Sequence, residues 1–343
     1  MNRLKNIFHE KSKLKELLVE KVIYIVLIAL FITVVMIEPK FLSFTNFKNI
    51  FAQSATRIII ALAAGMVLIV RGCDLSTGRM IGLAAVISAS LMQQTGYAYR
   101  MYPGLNELPL IVPILLVIVI CALLGAITGT AIAVLKVPPI IATLAMQLIL
   151  YGASSIYFDR PPYGAQPIGG LSKNIIGIAT GFFKMGRIEI PYLILIAIAI
   201  CILMWVIWNK TRFGKYMYAV GGNPEAAKVS GVNVIRTQII VYSAAAVLYA
   251  VAAVLEVGRI GSASNTTGNG YEMDAIAACV VGGVSMSGGI GSIGGIVIGV
   301  LIFTVINYGL AFIGVNMYWQ YIVKGLIIAL AVVIDMRKYA RRK

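Results

Sequence analysis

The sequence predicts an all-α integral membrane protein with about ten transmembrane helices. Three observations carry that prediction. Of 343 residues, 60% are hydrophobic and only 12% charged, where soluble domains run to about a quarter charged. Mean hydropathy is +0.92. The apolar runs are long and continuous rather than short and alternating, which argues against a β-barrel.

The apolar segments fall at Val22–Ile37, Ile50–Val70, Met80–Gln93, Leu110–Leu135, Pro139–Phe158, Ile190–Trp208, Thr237–Gly258, Asp274–Met286, Gly294–Phe312 and Trp319–Asp335. Several are shorter than the roughly 20 residues of a straight span. The third and eighth are short, rich in small residues and flanked by charge or glycine. That is the pattern of a broken or partial helix, tolerated where protein or a watery cavity surrounds it. The implied organisation is a polar tail over residues 1–21, a transmembrane domain over 22–335 with a polar loop at 209–236, and a basic tail over 336–343. No small-residue cleavage site follows the first apolar segment, so it reads as a retained span rather than a signal peptide.

The formal charge of +16 would suggest nucleic acid in a soluble chain. Here the basic residues sit in loops and tails, none interleaved with aromatics, so lipid is the expected partner and nucleic acid is not. With the N-terminus inside, 19 of the 29 Lys and Arg fall on the inner side, including Arg71 and Arg79, which places both termini in the cytoplasm. The four cysteines lie in or beside apolar runs without a CxxC spacing, and the one histidine is His9. No metal site is expected.

One polar stretch interrupts the apolar pattern on the inner side: GGNPEAAKVSG, Gly221–Gly231. Asn223 is a favoured N-cap and Pro224 suits the first helical position. Glu225 complements the helix dipole, Ala226 and Ala227 favour helix, and Gly231 supplies a left-handed stop. Local physics is equally compatible with a stiff connector and with a docking element for a cytoplasmic partner.

Other motifs weigh less. Gly289–Gly294 spells GxGxxG, but no strand precedes it and no acidic residue follows before Asp335. Close packing or a bend is the better reading. No GxxxxGK[ST] phosphate loop occurs. Arg71, Asp74 and Arg79 flank the third segment, either as a solvated cytoplasmic turn or as a broken segment beside a pathway, with Asp74 and Ser76 capping the helix. Glu256 and Arg259 are spaced to pair on one helix face. Asn265 belongs to a polar loop with Ser262, Thr266, Asn269 and Tyr271, placed on the outer side, whose neutral groups suit sugar hydroxyls. Asp74, Ser76, Glu256 and Asn265 are thus the candidate pathway residues. Asp74 and Asp274 each open a small-residue segment, a faint inverted repeat.

Glu225-Ala226-Ala227 with Gly231 matches the EAAxxxG pattern and resembles the coupling loop of ABC importer permeases. The apolar-Leu-Pro continuation of that pattern is absent, as in the sugar permeases of the ribose class. Asn209–Val234, Asp274–Ser287, the stretch from Ile302 and RGCDLSTGR at Arg71–Arg79 are similar to the bacterial galactose and methyl-galactoside permeases, and the likeness covers nearly the whole chain. The resemblance implies a type II-like permease bundle in the bacterial inner membrane, pairing as a homodimer. It implies two ATP-binding domains below, on a separate subunit or subunits, and a periplasmic sugar-binding protein above. The chain would be a transport subunit and not an enzyme. Asn223, Pro224, Glu225, Ala226, Ala227 and Gly231 would dock the ATPase, with ATP-Mg held by that partner and no cofactor on this chain. The implied cargo is galactose or methyl galactoside, with glucose, ribose, xylose and nucleosides as alternatives. An ion-coupled carrier and a non-transporting scaffold are the rivals from other classes.

Overall fold

A computed structural model describes residues 27–160, 164–186 and 188–340. The tail over residues 1–21, the first residues of the first expected span and the last three of the basic tail lie outside the described residues.

Each of the ten expected segments contains a helix. In chain order the helical elements are α1 (Leu27–Ile37), a 3-10 turn at Pro39–Leu42, α2 (Phe44–Ile69), α3 (Thr77–Leu91), α4 (Ile111–Ala133) and α5 (Pro139–Phe158). They continue with α6 (Lys173–Thr180), α7 (Tyr192–Lys210), α8 (Arg212–Gly222), α9 (Pro224–Val229), α10 (Val234–Ile260), α11 (Tyr271–Val281), α12 (Ile293–Phe312) and α13 (Met317–Ala340). Among the described residues, six are long and apolar enough to cross a membrane: α2, α4, α5, α7, α10 and α12. Helix α3 has 15 residues and α11 has 11, about 22 and 16 Å at 1.5 Å per residue, short of a hydrocarbon core of about 30 Å.

Two expectations are corrected here. The chain is not wholly helical: β1 (Phe182–Met185) and β2 (Ile188–Pro191) pair as an antiparallel hairpin. The polar loop holds two helices, because Thr211 caps α8 by accepting from the Gly214 N–H at 3.2 Å.

The chain divides into two compact units. In the first, formed by the described residues up to Ile50 and from Leu301 onward, Phe41 is buried against Phe31, Tyr308 and Phe312 at ring separations of 6.1, 6.2 and 5.6 Å. The Tyr308 hydroxyl donates to Asn46 Oδ1 at 3.0 Å, and Asn46 Nδ2 donates back to the Lys40 carbonyl at 3.1 Å.

The second unit, Phe51–Val300, is built around α2 and α10. Small residues let its backbones touch, the usual driver of packing where lipid removes the hydrophobic gain. A Cβ on Gly125 of α4 would lie 2.6 Å from the Tyr242 carbonyl of α10, and one on Gly129 would lie 2.9 Å from Ile239 Cα. Helices α4, α5 and α7 turn large apolar side chains outward, among them Leu123, Ile127, Leu148 and Ile202, as lipid-facing helices do.

The α11–α12 contact is closer still. A Cβ on Gly282 would press on the Gly295 carbonyl and lie 2.9 Å from the Ile296 nitrogen. Replacing Gly282 by Ala should therefore cost about 1–3 kcal/mol by overpacking. The reading is a lower thermal unfolding midpoint in detergent, with Gly325→Ala, which meets no atom within 4 Å, as the neutral comparison. Equal midpoints for the two variants would show that the contact gives way freely.

Candidate functional site

Two helices begin inside the second unit rather than at its ends, and they begin against each other. The N-terminal turns of α3 and α11 meet where a Cβ on Gly78 would strike the Gly268 carbonyl and the Glu272 carboxylate. Gly268 and Gly270 hold φ of +82° and +79°, a conformation open to glycine without a steric penalty. Tyr249, in the middle of α10, brings its hydroxyl beside Asp74 and Thr77. Helix α3 then runs to Gln93, which bridges Leu171, while α11 descends past Ala61, whose carbonyl accepts from Cys279 Sγ at 3.1 Å.

Asp74 and Ser76 sit at this junction, but not as helix caps. Ser76 makes no side-chain cap bond. Asp74 Oδ1 accepts from the Ser76 N–H at 2.9 Å and from its hydroxyl at 2.6 Å, and Thr77 Oγ1 donates to the Asp74 carbonyl at 2.9 Å. The carboxylate closes a tight turn before the helix instead of reaching its free N–H groups, because the turn must first reverse the chain. Asp74 and Ser76 are 6% and 1% exposed, so the solvated-turn alternative does not describe them.

The structure also corrects the division into an inner Arg71–Arg79 loop and an outer polar loop. Arg79 donates from Nη1 to the Asn265 carbonyl at 3.1 Å and from Nη2 to Asn269 Oδ1 at 3.0 Å, with its guanidinium 4.3 Å above the Tyr151 ring. The loop after α10 meets the start of α3.

Glu256 is 0% exposed and accepts four donors. Thr56 Oγ1 donates at 2.8 Å, Tyr271 at 2.9 Å, and Arg259 through Nε at 3.0 Å and Nη2 at 2.8 Å. The expected Glu256–Arg259 pair is present, but it is sealed rather than interfacial. Arg57 stacks 3.4 Å over the Tyr271 ring and reaches Asp274 at 3.7 Å. The parts played by Arg57 and Tyr271 were invisible in the sequence, since both contacts are long-range.

At the other end of α2, the polar loop is fastened to the bundle. Asn223 Oδ1 accepts from the Glu225 and Ala226 N–H groups at 3.1 Å each, Pro224 opens α9, and Gly231 closes it at φ +82°. Ala227 is buried; Asn223, Glu225, Ala226 and Val229 are exposed, Val229 at 89%. Arg71, itself at φ +63°, donates from Nε to the Gly221 carbonyl at 2.7 Å and from Nη2 to that of Gly222. The Gly289 N–H donates to the Ile69 carbonyl at 2.8 Å. Tyr218 donates to Gly291 O at 2.9 Å, and burial holds its phenol above the ordinary pKa, so it stays a neutral donor. The GxGxxG stretch is thus a bend against α8, with Gly289 at φ +73°.

A bundle of apolar helices, six of them among the described residues long enough to cross a membrane, with two short helices starting at a common buried point, defines a multi-pass membrane protein. The chain belongs to the family described as branched-chain amino acid transport system / permease component, which matches residues 46–332. It is 51% identical over 97% of its length to the galactose/methyl galactoside import permease protein of Haemophilus influenzae, covering 99% of that protein. It is 50% identical to the Escherichia coli protein of the same name, over 94% of this chain and 95% of that one. It is 36% identical to the ribose import permease protein of Escherichia coli, over 94% and 96%. No solved structure matches.

Removing Glu256 leaves Arg259 and the Tyr271 hydroxyl without their acceptor. Glu256→Ala should destabilise the purified chain by about 3–5 kcal/mol, read from denaturation in detergent. Adding Arg259→Met should recover part of that loss; a double variant as unstable as the single one would show that the pairing matters little.

Proposed function

We propose that this chain is the transmembrane subunit of an ATP-driven sugar importer, carrying galactose and methyl galactoside from a periplasmic binding protein to the cytoplasm by alternating access. The observation that carries this reading is the exposed, double-ended cap of α9, which follows directly on α8, whose last two residues are clasped by Arg71 at the end of α2. The identity of about 50% to galactose/methyl galactoside permeases supports the cargo, and the 36% identity to ribose permeases makes ribose the second reading.

In this reading two copies of the chain flank one pathway in the bacterial cytoplasmic membrane, with about ten membrane segments each and both termini inside. Separate subunits bind ATP-Mg. Their closure pulls on Asn223, Pro224, Glu225, Ala226, Ala227 and Gly231, and the clasp passes the movement to α2 and to the α3–α11 junction. The chain does no covalent chemistry; its partners shift it between outward- and inward-open populations. Asn265 borders the path, while Asp74, Ser76 and Glu256 hold the junction in shape.

Glu225→Lys puts a cation at a helix N-terminus and reverses a contact charge. In proteoliposomes with its partners, ATP-driven galactose uptake should be lost while the chain stays folded. Arg71→Ala removes two bonds from a charged donor, each worth about 1.5–3 kcal/mol. Uptake should fall about tenfold or more, with the ATP-binding subunit still co-purifying. Normal uptake in both variants would make the loop a plain connector. Uptake of ribose in place of galactose would reassign the cargo.

A further inference from the structure

We propose that Arg79, Asn265 and Asn269, together with the ring of Tyr151, form the contact site for the hydroxyl groups of the passing sugar. This rests on the reading above and adds a place and a chemistry to it.

Depth is the first argument. Arg79 lies 12 residues before Leu91, the last residue of α3, and Tyr151 lies 12 residues after Pro139, the first of α5. Tyr151 is about 18 Å from the first residue of α5 and about 10 Å from Phe158, its last, at 1.5 Å per residue, within a helix long and apolar enough to cross a hydrocarbon core of about 30 Å, and the Arg79 guanidinium lies over its ring. The lipid-facing helices show aliphatic side chains at such depth. Here a guanidinium is partly exposed, Asn269 is exposed and Tyr151 is 41% exposed. Charged and amide groups left open at that level face a watery cavity or another subunit.

Chemistry is the second. The neighbours that hold Arg79 are the Asn265 carbonyl at 3.1 Å, Asn269 Oδ1 at 3.0 Å and an aromatic face at 4.3 Å, with Glu272 near enough to sense its charge. An Arg fork has five donors, so capacity is left beyond those two bonds. Asn265 spends its amide on a long 3.4 Å bond to Ser155 Oγ, easily exchanged for a better one. The two asparagines offer donor and acceptor side by side, the pairing that adjacent hydroxyls of a neutral polyol require, and the Tyr151 ring offers a flat apolar surface for its C–H face. Because Gly268 and Gly270 fix the loop on either side of Asn269, that amide is positioned before any ligand arrives.

The test uses the assembled importer, with its ATP-binding subunit and binding protein, in proteoliposomes. With Asn269→Cys, a water-soluble thiol reagent should label the chain about tenfold faster than it labels the native four cysteines, and saturating galactose should slow that labelling where mannitol does not. Arg79→Gln should lower galactose uptake about tenfold, as expected for losing a bond to a charged donor, while Arg79→Lys should recover part of it. Absence of labelling, labelling that galactose does not slow, or unchanged uptake in Arg79→Gln would overturn the proposal. If the unaltered importer took up no galactose, it would be the functional reading that failed, with the labelling result still deciding whether this face meets water.

Discussion

Within a bilayer every backbone N–H and C=O must find a partner in the protein, and the buried contact of Gly78 with Gly268 is where two helix starts of this chain meet that demand together. Two helices start there, each with free N–H groups. Asp74 answers part of the need with the turn it closes through Ser76, and the absence of side chains at both glycines lets the two segments lie close. The remaining architecture follows from keeping that junction closed: α10 alongside with Tyr249, α2 behind with Arg57 and Thr56, and α11 returning past Cys279.

The charged groups divide into two kinds. Glu256, with Arg259, Thr56 and Tyr271, is saturated, and such a set contributes fixed geometry more than stability. Arg79 is held by two amide oxygens and an aromatic ring, with Glu272 nearby, and leaves donors over. Sealed charge near the C-terminal end of α10 and charge with donors to spare near the start of α3 are different devices. The first sets where the loop after α10 turns toward α3; the second sets what that loop and α3 present to a ligand.

Much of this was legible in the sequence. The helices follow from continuous apolar runs, and the third and eighth segments betray their shortness by glycine and charge at their ends. The ends of α9 are written in Asn223, Pro224 and Gly231, because capping is local chemistry. The junction was not legible. Asp74 and Ser76 spell an N-cap as readily as a pre-helix turn, and which one forms depends on a carbonyl geometry set by distant packing. Basic residues suggested opposite membrane sides for Arg79 and Asn265, because loop counting assumes that every loop stays at the surface. Nor could an Arg71 at positive φ be foreseen, since nothing local favours it; two carbonyls of another helix hold it there.

The glycine contact among Gly221, Gly289 and Ile69 bears on how force travels. A chain of mechanical links yields at its softest member. Backbone packed on backbone has no side chain to bend or swing, so the joint between α8 and the end of α2 is stiff. Around Gly231, by contrast, no atom lies within 4 Å of where a Cβ would sit. The stiff joint lies on the α8 side of α9, so in the proposed reading a displacement of that short helix reaches the end of α2 with little loss.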